Sequence, residues 1–193
     1  MTKNFVQELN ITDVLSGGAD EEARRLLEVW YANNGILCDE LISLAPLLLI
    51  FDGSMTTASK PEMLLCGEQS LAAQLLGNEW AEQPESAVST LNKQYINLIE
   101  QGYKRTLQTN RPTFELVSTS LQHSQTTDLK LRYQRLILPF QTSLGAPFLL
   151  SYSHDVGTHP RLTDPKPNGK SPQSLPRRNM GQTSPSRLAR SSN

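Results

Sequence analysis

The chain has 193 residues, of which 37% are hydrophobic and 19% charged, and its formal net charge is −1. This length and apolar content suffice for one domain with a buried core and leave room for tails. Residues 155–193 carry seven Lys or Arg and two Asp (+5), which leaves −6 for residues 1–154, so the body is acidic and the tail basic. Two cysteines, Cys38 and Cys66, are too few for a disulfide framework or a four-ligand metal site, and we interpret them as reduced, buried thiols.

The sequence predicts a soluble, cytoplasmic protein without a membrane segment. Its first residues, Met1–Phe5, lack the apolar core of a signal peptide. The most apolar stretch, Leu41–Phe51, is about half as long as a membrane span and is interrupted by Pro46.

Two segments precede the predicted folded domain. Residues 1–19 are mixed and polar, which suggests a flexible arm. Residues 20–35 form a flanking helix that is capped by Asp20 and ended by Gly35. Its single apolar stripe needs a surface to cover, either the domain's own sheet or the matching helix of a second copy.

The folded domain is predicted to span residues 36–153 and to be followed by a tail. Residues 154–193 are basic and rich in Pro and Ser, with few apolar side chains. Such a composition cannot bury enough apolar surface to become ordered, so we expect a disordered tail.

The domain's clearest helix lies in its middle and is recognised by apolar and small residues at steps of three or four: Leu91, Tyr95, Leu98, Ile99, Gly102, Tyr103 and Thr106. Pro112 disfavours helical geometry at Arg111, so the helix is expected to end near Asn110.

After this helix, the sequence predicts a three-stranded antiparallel meander. Its strands are expected over residues 113–121, 129–140 and 147–152, where β-branched, aromatic and alternating residues are frequent. Met63–Cys66 is a short apolar run that suggests a further, central strand. Helices followed by a meander indicate the α+β class.

Two stretches of the domain have a distinctive pattern. Tyr103–Pro112 reads Tyr-Lys-Arg-Thr-Leu-Gln-Thr-Asn-Arg-Pro, and Leu131–Pro139 reads Leu-Arg-Tyr-Gln-Arg-Leu-Ile-Leu-Pro. Together with Leu44–Phe51 and Gly67–Trp80, they resemble the PAS domain family, in particular the compact single-PAS proteins of α-proteobacteria.

In those domains the long helix ends in a Thr-Gly-Arg-Pro-like turn, and the second strand after that turn carries a Tyr-Glu-Arg-Leu-like run. Here Asn110 and Gln134 stand in place of the Gly and the Glu. Asn tolerates a positive φ, so the first departure is mild, whereas Gln134 removes a possible ion-pairing carboxylate.

The resemblance implies a PAS-like fold for residues 36–153. This is an antiparallel sheet of about five strands with helices packed on one face, here with an extra N-terminal helix and a disordered C-terminal tail. Such a fold encloses a small pocket that holds a metabolite, a cofactor or nothing, and no particular cofactor is indicated.

Tyr133 and Arg135 are the first candidate ligand-binding residues. They share strand parity, so a phenol and a guanidinium point to the same face and suit an anionic or carbonyl ligand. The alternative is that Arg135 forms a structural ion pair with Glu100 or Glu115 and that Tyr133 belongs to the core.

Trp80 and Tyr103 are the other two candidates, because aromatic side chains commonly line small-molecule pockets. The alternative is again ordinary core packing, which is the commoner role of an aromatic on the apolar face of a helix.

The sequence shows no motif for catalysis or metal binding. It has no Gly-rich phosphate loop, nucleophile elbow or His-Glu-x-x-His motif. His123, His154 and His159 lack the spacing of metal ligands, so no catalytic or metal-binding residue is predicted.

We therefore expect a sensory or regulatory module rather than an enzyme. It would bind a small ligand or a partner protein, signal in trans and form a homodimer, with nucleic acid as a less favoured partner. One alternative is a small lyase or isomerase that uses Arg135, Tyr103 or His123 as acid or base. Another is an adaptor whose basic tail binds an acidic partner or nucleic acid.

Overall fold

A computed structural model describes residues 4–54, 62–77, 82, 93–124 and 127–157. Within these residues, one sheet is built from six strands: β1 (Phe5–Leu9), β2 (Leu48–Asp52), β3 (Met63–Cys66), β4 (Thr113–Ser124), β5 (Thr127–Gln141) and β6 (Pro147–Asp155). Their order in the sheet is β1-β4-β5-β6-β2-β3, and every neighbouring pair is antiparallel.

The described residues form four α-helices: α1 (Ile11–Leu15), α2 (Glu21–Ala32), α3 (Leu71–Leu76) and α4 (Lys93–Thr109). Two short 3₁₀ segments, Asp39–Ser43 and Ala45–Leu47, lead into β2. The chain therefore has an α+β fold with an antiparallel sheet, as the sequence predicted. Among the described residues, no helix has the length and apolar character needed to cross a membrane.

The predicted long helix and meander are confirmed. Helix α4 ends at Thr109, and Asn110 follows it with a left-handed φ of 49°. The three strands after it, β4, β5 and β6, pair consecutively as antiparallel neighbours. Asn is among the few residues other than glycine that adopt this backbone conformation at low cost, and so the chain can turn sharply before Pro112.

Helix α2 covers the protein's own sheet. Asp20 caps it by accepting a hydrogen bond from Ala23 N at 3.2 Å. Its apolar stripe shares one buried core with side chains of β2, β4, β5 and β6: Leu48, Phe114, Leu136, Leu138, Phe140, Leu150 and Tyr152. Two surfaces were expected for this helix, the domain's own sheet or the matching helix of a second copy, and the structure shows the sheet.

Both ends of α2 are also fastened to the sheet by polar contacts. Near its C-terminus, the indole Nε1 of Trp30 donates to the Pro139 carbonyl at 2.6 Å. At its N-terminus, the Tyr152 hydroxyl donates to the Asp20 carboxylate. These contacts fix the helix in place on strands β5 and β6.

The expectation of helices on one face needs correction, since they lie on both. On β5, Leu136 and Leu138 pack with α2, whereas Ile137 belongs to the core that contains Tyr103 of α4 and Ala73 of α3. A strand directs successive side chains to opposite faces. The extra N-terminal helix therefore buries the sheet face that α3 and α4 leave uncovered.

The expected count of about five strands and the flexible arm over residues 1–19 also need correction. Phe5–Leu9 pairs with Ser118–Phe114 as a sixth strand, β1. Val14 of α1 is fully buried. Residues 5–15 are thus part of the fold, and the five-residue strand is too short to give a clear periodic signal.

Strand β3 is at an edge of the sheet and not at its centre. Met63 and Cys66 point into the core, but Leu64 and Leu65 are 48% and 40% exposed. An apolar run of four residues indicates a strand without showing how many of its faces are covered.

The predicted disordered tail lies almost wholly outside the described residues. Strand β6 continues to Asp155, so the folded part extends two residues beyond the boundary expected at residue 153.

Leu26→Ala tests the packing of α2. Leu26 is fully buried against the sheet, so its truncation should lower the free energy of unfolding by about 2–5 kcal/mol. Leu144→Ala, at a position that is 96% exposed, is the matched control and should change it by less than about 0.5 kcal/mol. Urea unfolding measures both, and equal losses of stability for the two variants would contradict the packing of α2 on its own sheet.

Candidate functional site

A cavity of about 150 Å³ lies between α3, α4 and the sheet face beneath them. Most of its wall is apolar: Leu47, Leu49, Phe51, Met63, Leu71, Ala72, Leu75, Leu76, Ile96, Ile99 and Leu131. Its polar side chains come mainly from α4, β5 and β6: Ser70, Tyr95, Glu100, Tyr103, Tyr133, Arg135, Ser151 and Ser153. An apolar enclosure with a few polar groups is the usual form of a small-molecule site.

The buried ion pair of Arg135 and Glu115 lies at the polar side of this cavity. The two residues stand directly opposite each other on β5 and β4. Arg135 donates to Glu115 Oε2 from Nε at 3.2 Å and from Nη2 at 2.5 Å. Their side chains are only 2% and 0% exposed, and so this pair is shielded from water.

The guanidinium of Arg135 also contacts helix α4. Its Nη2 donates to the Ile99 carbonyl at 3.0 Å, and its central carbon lies 4.7 Å from the centre of the Tyr103 ring. Burial works to lower the pKa of Arg135, but Tyr103, Tyr133 and Glu115 outweigh it and raise that pKa above its ordinary value. Arg135 is therefore a permanent cation.

A second ion pair, between Arg105 and Glu8, lies beside the first one. Glu8 of β1 is the register partner of Glu115, which places two carboxylates side by side. Arg105 of α4 compensates them, with Nη1 2.7 Å from Glu8 Oε2 and 3.7 Å from Glu115 Oε1. Two guanidinium groups and two carboxylates thus balance one another, and Glu115 has a cation on each side.

Gly102 lets α4 pass closely over the ion pair. A Cβ atom at this position would lie 2.5 Å from Glu115 Oε2 and 2.8 Å from Arg135 Nη2. One turn later, Thr106 Oγ1 lies 2.8 Å from Thr113 Oγ1 of β4. The absence of a side chain at residue 102 therefore sets the distance between the helix and the sheet.

Two tyrosine hydroxyls meet in the cavity. Tyr95 of α4 and Tyr133 of β5 place their hydroxyl oxygens 2.9 Å apart. Burial is the main cause that raises the pKa of Tyr95 and brings that of Tyr133 well above its ordinary value. Both phenols therefore stay protonated near neutral pH.

Tyr103 closes the polar side of the cavity next to this pair. Its hydroxyl donates to Ser151 Oγ of β6 at 3.3 Å, and its ring centre lies 4.6 Å from that of Phe51. The ring therefore contributes apolar wall, while its hydroxyl is hydrogen-bonded to the sheet.

Glu100 is not the partner of Arg135. Its Oε2 accepts from Lys104 Nζ at 3.2 Å, one turn along α4. Its Oε1 is buried and has no hydrogen-bond partner within the part of the chain that the structure describes. Of the two acidic partners considered for Arg135, the structure selects Glu115.

Three of the four candidate residues come together on the cavity wall, namely Tyr103, Tyr133 and Arg135. Trp80 lies outside the described residues. The ion-pair alternative for Arg135 is also realised, so this residue is both a structural partner and a wall of the cavity. Tyr95 was missed as a site residue, although its helical spacing from Tyr103 placed both on one stripe.

Among the described side chains, no histidine or cysteine contributes to the cavity wall. The His123 side chain and His159 lie outside the described residues, and His154 Nδ1 lies 3.1 Å from Asp20 Oδ2 on the α2 face. Cys66 is a buried free thiol, as predicted, while Cys38 is only partly buried. No three His, Cys, Asp or Glu side chains gather as a metal site within residues 4–54, 62–77, 82, 93–124 and 127–157.

Comparison with known proteins gave no match: no protein-family model, curated protein or solved structure matches this chain. A functional assignment therefore has to come from the cavity and its contacts.

Gly102→Ala tests the close approach of α4. On helix propensity alone, Ala would stabilise the helix by about 1 kcal/mol. We expect the opposite sign, a loss of about 1–3 kcal/mol in the free energy of unfolding, because the added methyl group collides with the buried ion pair. Gln101→Ala, at the exposed neighbouring position, is the control, and an increase in stability for Gly102→Ala would contradict this geometry.

The tyrosine pair predicts a loss of stability in alkali. A raised folded-state pKa means that above about pH 10 the folded protein retains protons that the unfolded chain loses. The stabilisation that the two protonated phenols contribute to the folded state is fully present below about pH 10 and declines as the pH rises further. Urea unfolding from about pH 8 to pH 11 should show the decline, and Tyr133→Phe should flatten it. If Tyr31→Phe, at an exposed position, flattens it equally, the cause is not the cavity.

Proposed function

We propose that this chain is a PAS-like sensory or regulatory module that holds a small ligand in its cavity and acts on a partner protein. The cavity of about 150 Å³ between α3, α4 and the sheet carries the proposal. A cavity of this size with apolar walls has room for a ring of about the size of benzene, and because the cavity is partly open the ring can carry a small substituent. The ligand would therefore be small and largely apolar.

The sheet supports the PAS-like part of the proposal. Strands β4, β5, β6, β2 and β3 are consecutive neighbours in one antiparallel sheet, and α3 and α4 pack over one face of it. This is the arrangement that the sequence resemblance implies. On this interpretation, β1, α1 and α2 are N-terminal additions to the PAS-like core.

The ionisable groups of the cavity favour binding over proton transfer. Arg135 and Glu100 are each engaged by an opposite charge, Glu115 and Lys104 respectively. The tyrosine pair has raised pKa values, so its hydroxyls donate hydrogen bonds and do not act as bases near neutral pH. These properties suit the recognition of a ligand more than the conversion of a substrate.

Strand β5 offers a route from the cavity to a partner. Its residues Tyr133 and Arg135 face the cavity, while Leu136 and Leu138 pack beneath α2. A ligand that shifts this strand would change both faces of the sheet, because a packed core transmits small displacements. We propose that the partner detects this change in the cytoplasm. A homodimer would use a surface other than the buried stripe of α2.

Native mass spectrometry of the full chain purified from its own host tests the proposal. We expect a mass that the folded protein carries and the denatured protein loses. Ala72→Phe should remove it, because Ala72 lines the cavity and the larger ring fills the space. Ala32→Phe makes the same change at an exposed position of α2 and should retain the ligand.

Two results would overturn the proposal. A wild-type protein that carries no small molecule would leave the cavity without a ligand. A molecule that is retained equally by Ala72→Phe would be bound elsewhere on the protein.

A further inference from the structure

The hydroxyl pair of Tyr95 and Tyr133 contains one hydrogen more than it uses. Each phenol carries one hydrogen, and only one of the two can lie between oxygens that are 2.9 Å apart. Among the described residues, the bond between the two hydroxyls is the only hydrogen bond that either of them makes. Tyr133 is buried and Tyr95 partly buried, and shielded donors usually have a partner, so this hydrogen is available to an acceptor that enters the cavity.

Other unused hydrogens on the same wall are donors as well. Arg135 uses Nε and Nη2 for Glu115 and Ile99, and none of the hydrogen bonds in the described part of the chain uses its Nη1. Ser151 accepts from Tyr103, which leaves the hydrogen of its own hydroxyl available. One buried acceptor on this wall, Glu100 Oε1, also has no partner among the described residues. The unused donors outnumber it, so the polar part of the cavity favours a ligand with an acceptor.

The charges of the wall are already balanced. Arg135 is neutralised by Glu115, and Glu100 is paired with Lys104. A charged ligand would lose its hydration on entering the cavity. An anion would be attracted by each cation of the wall but repelled by that cation's carboxylate partner, and a cation would be attracted by each carboxylate but repelled by its cationic partner. A neutral acceptor, such as the oxygen of a ketone, ester or amide, avoids this penalty.

We propose that the cavity selects a neutral, largely apolar molecule with one hydrogen-bond acceptor, and that the Tyr95–Tyr133 hydroxyl pair donates to that acceptor. This inference rests on the proposed function and names the chemical class of its ligand. It also makes Tyr95, which the sequence did not single out, a specificity residue.

Three probes of nearly equal size separate the possibilities, namely acetophenone, cumene and benzoate. Acetophenone has a neutral carbonyl oxygen, cumene replaces that oxygen by a methyl group, and benzoate carries a negative charge. NMR titration of the full chain gives a Kd for each. We expect acetophenone to bind about threefold to tenfold more tightly than cumene, which is the range of one neutral hydrogen bond. Benzoate should bind most weakly.

The double variant Tyr95→Phe/Tyr133→Phe removes both hydroxyls and keeps both rings. It should bind acetophenone and cumene with Kd values within about twofold of each other, and cumene should bind at least as well as before. Tyr31→Phe, at an exposed position, should keep the wild-type preference. Binding of cumene to the double variant also shows that its cavity is still folded.

The outcomes separate this inference from the proposed function. If acetophenone and cumene bind the wild type equally, the hydroxyl pair does not select an acceptor, while the ligand-binding cavity stands. If benzoate binds most tightly, Arg135 recognises an anion and the neutral class is wrong. If none of the three probes binds, the proposed function fails together with the inference.

Discussion

The buried ion pair of Arg135 and Glu115 is the constraint on which the site depends. It joins β4 to β5, and through the Ile99 carbonyl it also holds α4. Removing one partner of such a pair typically costs about 3–5 kcal/mol, because the other charge is left buried and uncompensated. Gly102 lets the helix lie directly over the pair. The height of α4 above the sheet, and with it the depth of the cavity, therefore follows from this contact.

The two faces of the sheet differ in how completely they are packed. Under α2, a continuous apolar core is closed by the hydrogen bonds of Trp30 to Pro139 and of Tyr152 to Asp20. Under α3 and α4, packing is incomplete, and the space is lined mostly by apolar side chains together with several hydroxyls and Arg135. The densely packed face supplies stability that allows the other face to keep a cavity, since each unfilled space lowers stability.

Local patterns predicted local structure well, and long-range pairing poorly. Helix α4 and the meander were recognisable because their periodicity extends over many residues. Strand β1 was missed because its five residues pair with a strand more than 100 positions away, as Phe5 with Ser118. For the cavity wall, strand parity grouped Tyr133 with Arg135, and helical spacing grouped Tyr95 with Tyr103. Neither pattern showed that the two groups face each other.

The sequence by itself determined the α+β class, the cap at Asp20, the end of the long helix near Asn110 and the common face of Tyr133 and Arg135. All of these follow from the conformational preferences of short segments. Only the tertiary structure decided that Glu115 rather than Glu100 neutralises Arg135, that α2 covers its own sheet, and that two tyrosine hydroxyls meet in a cavity. A periodic pattern tells which face a side chain occupies, whereas the group it meets there depends on how distant segments pack.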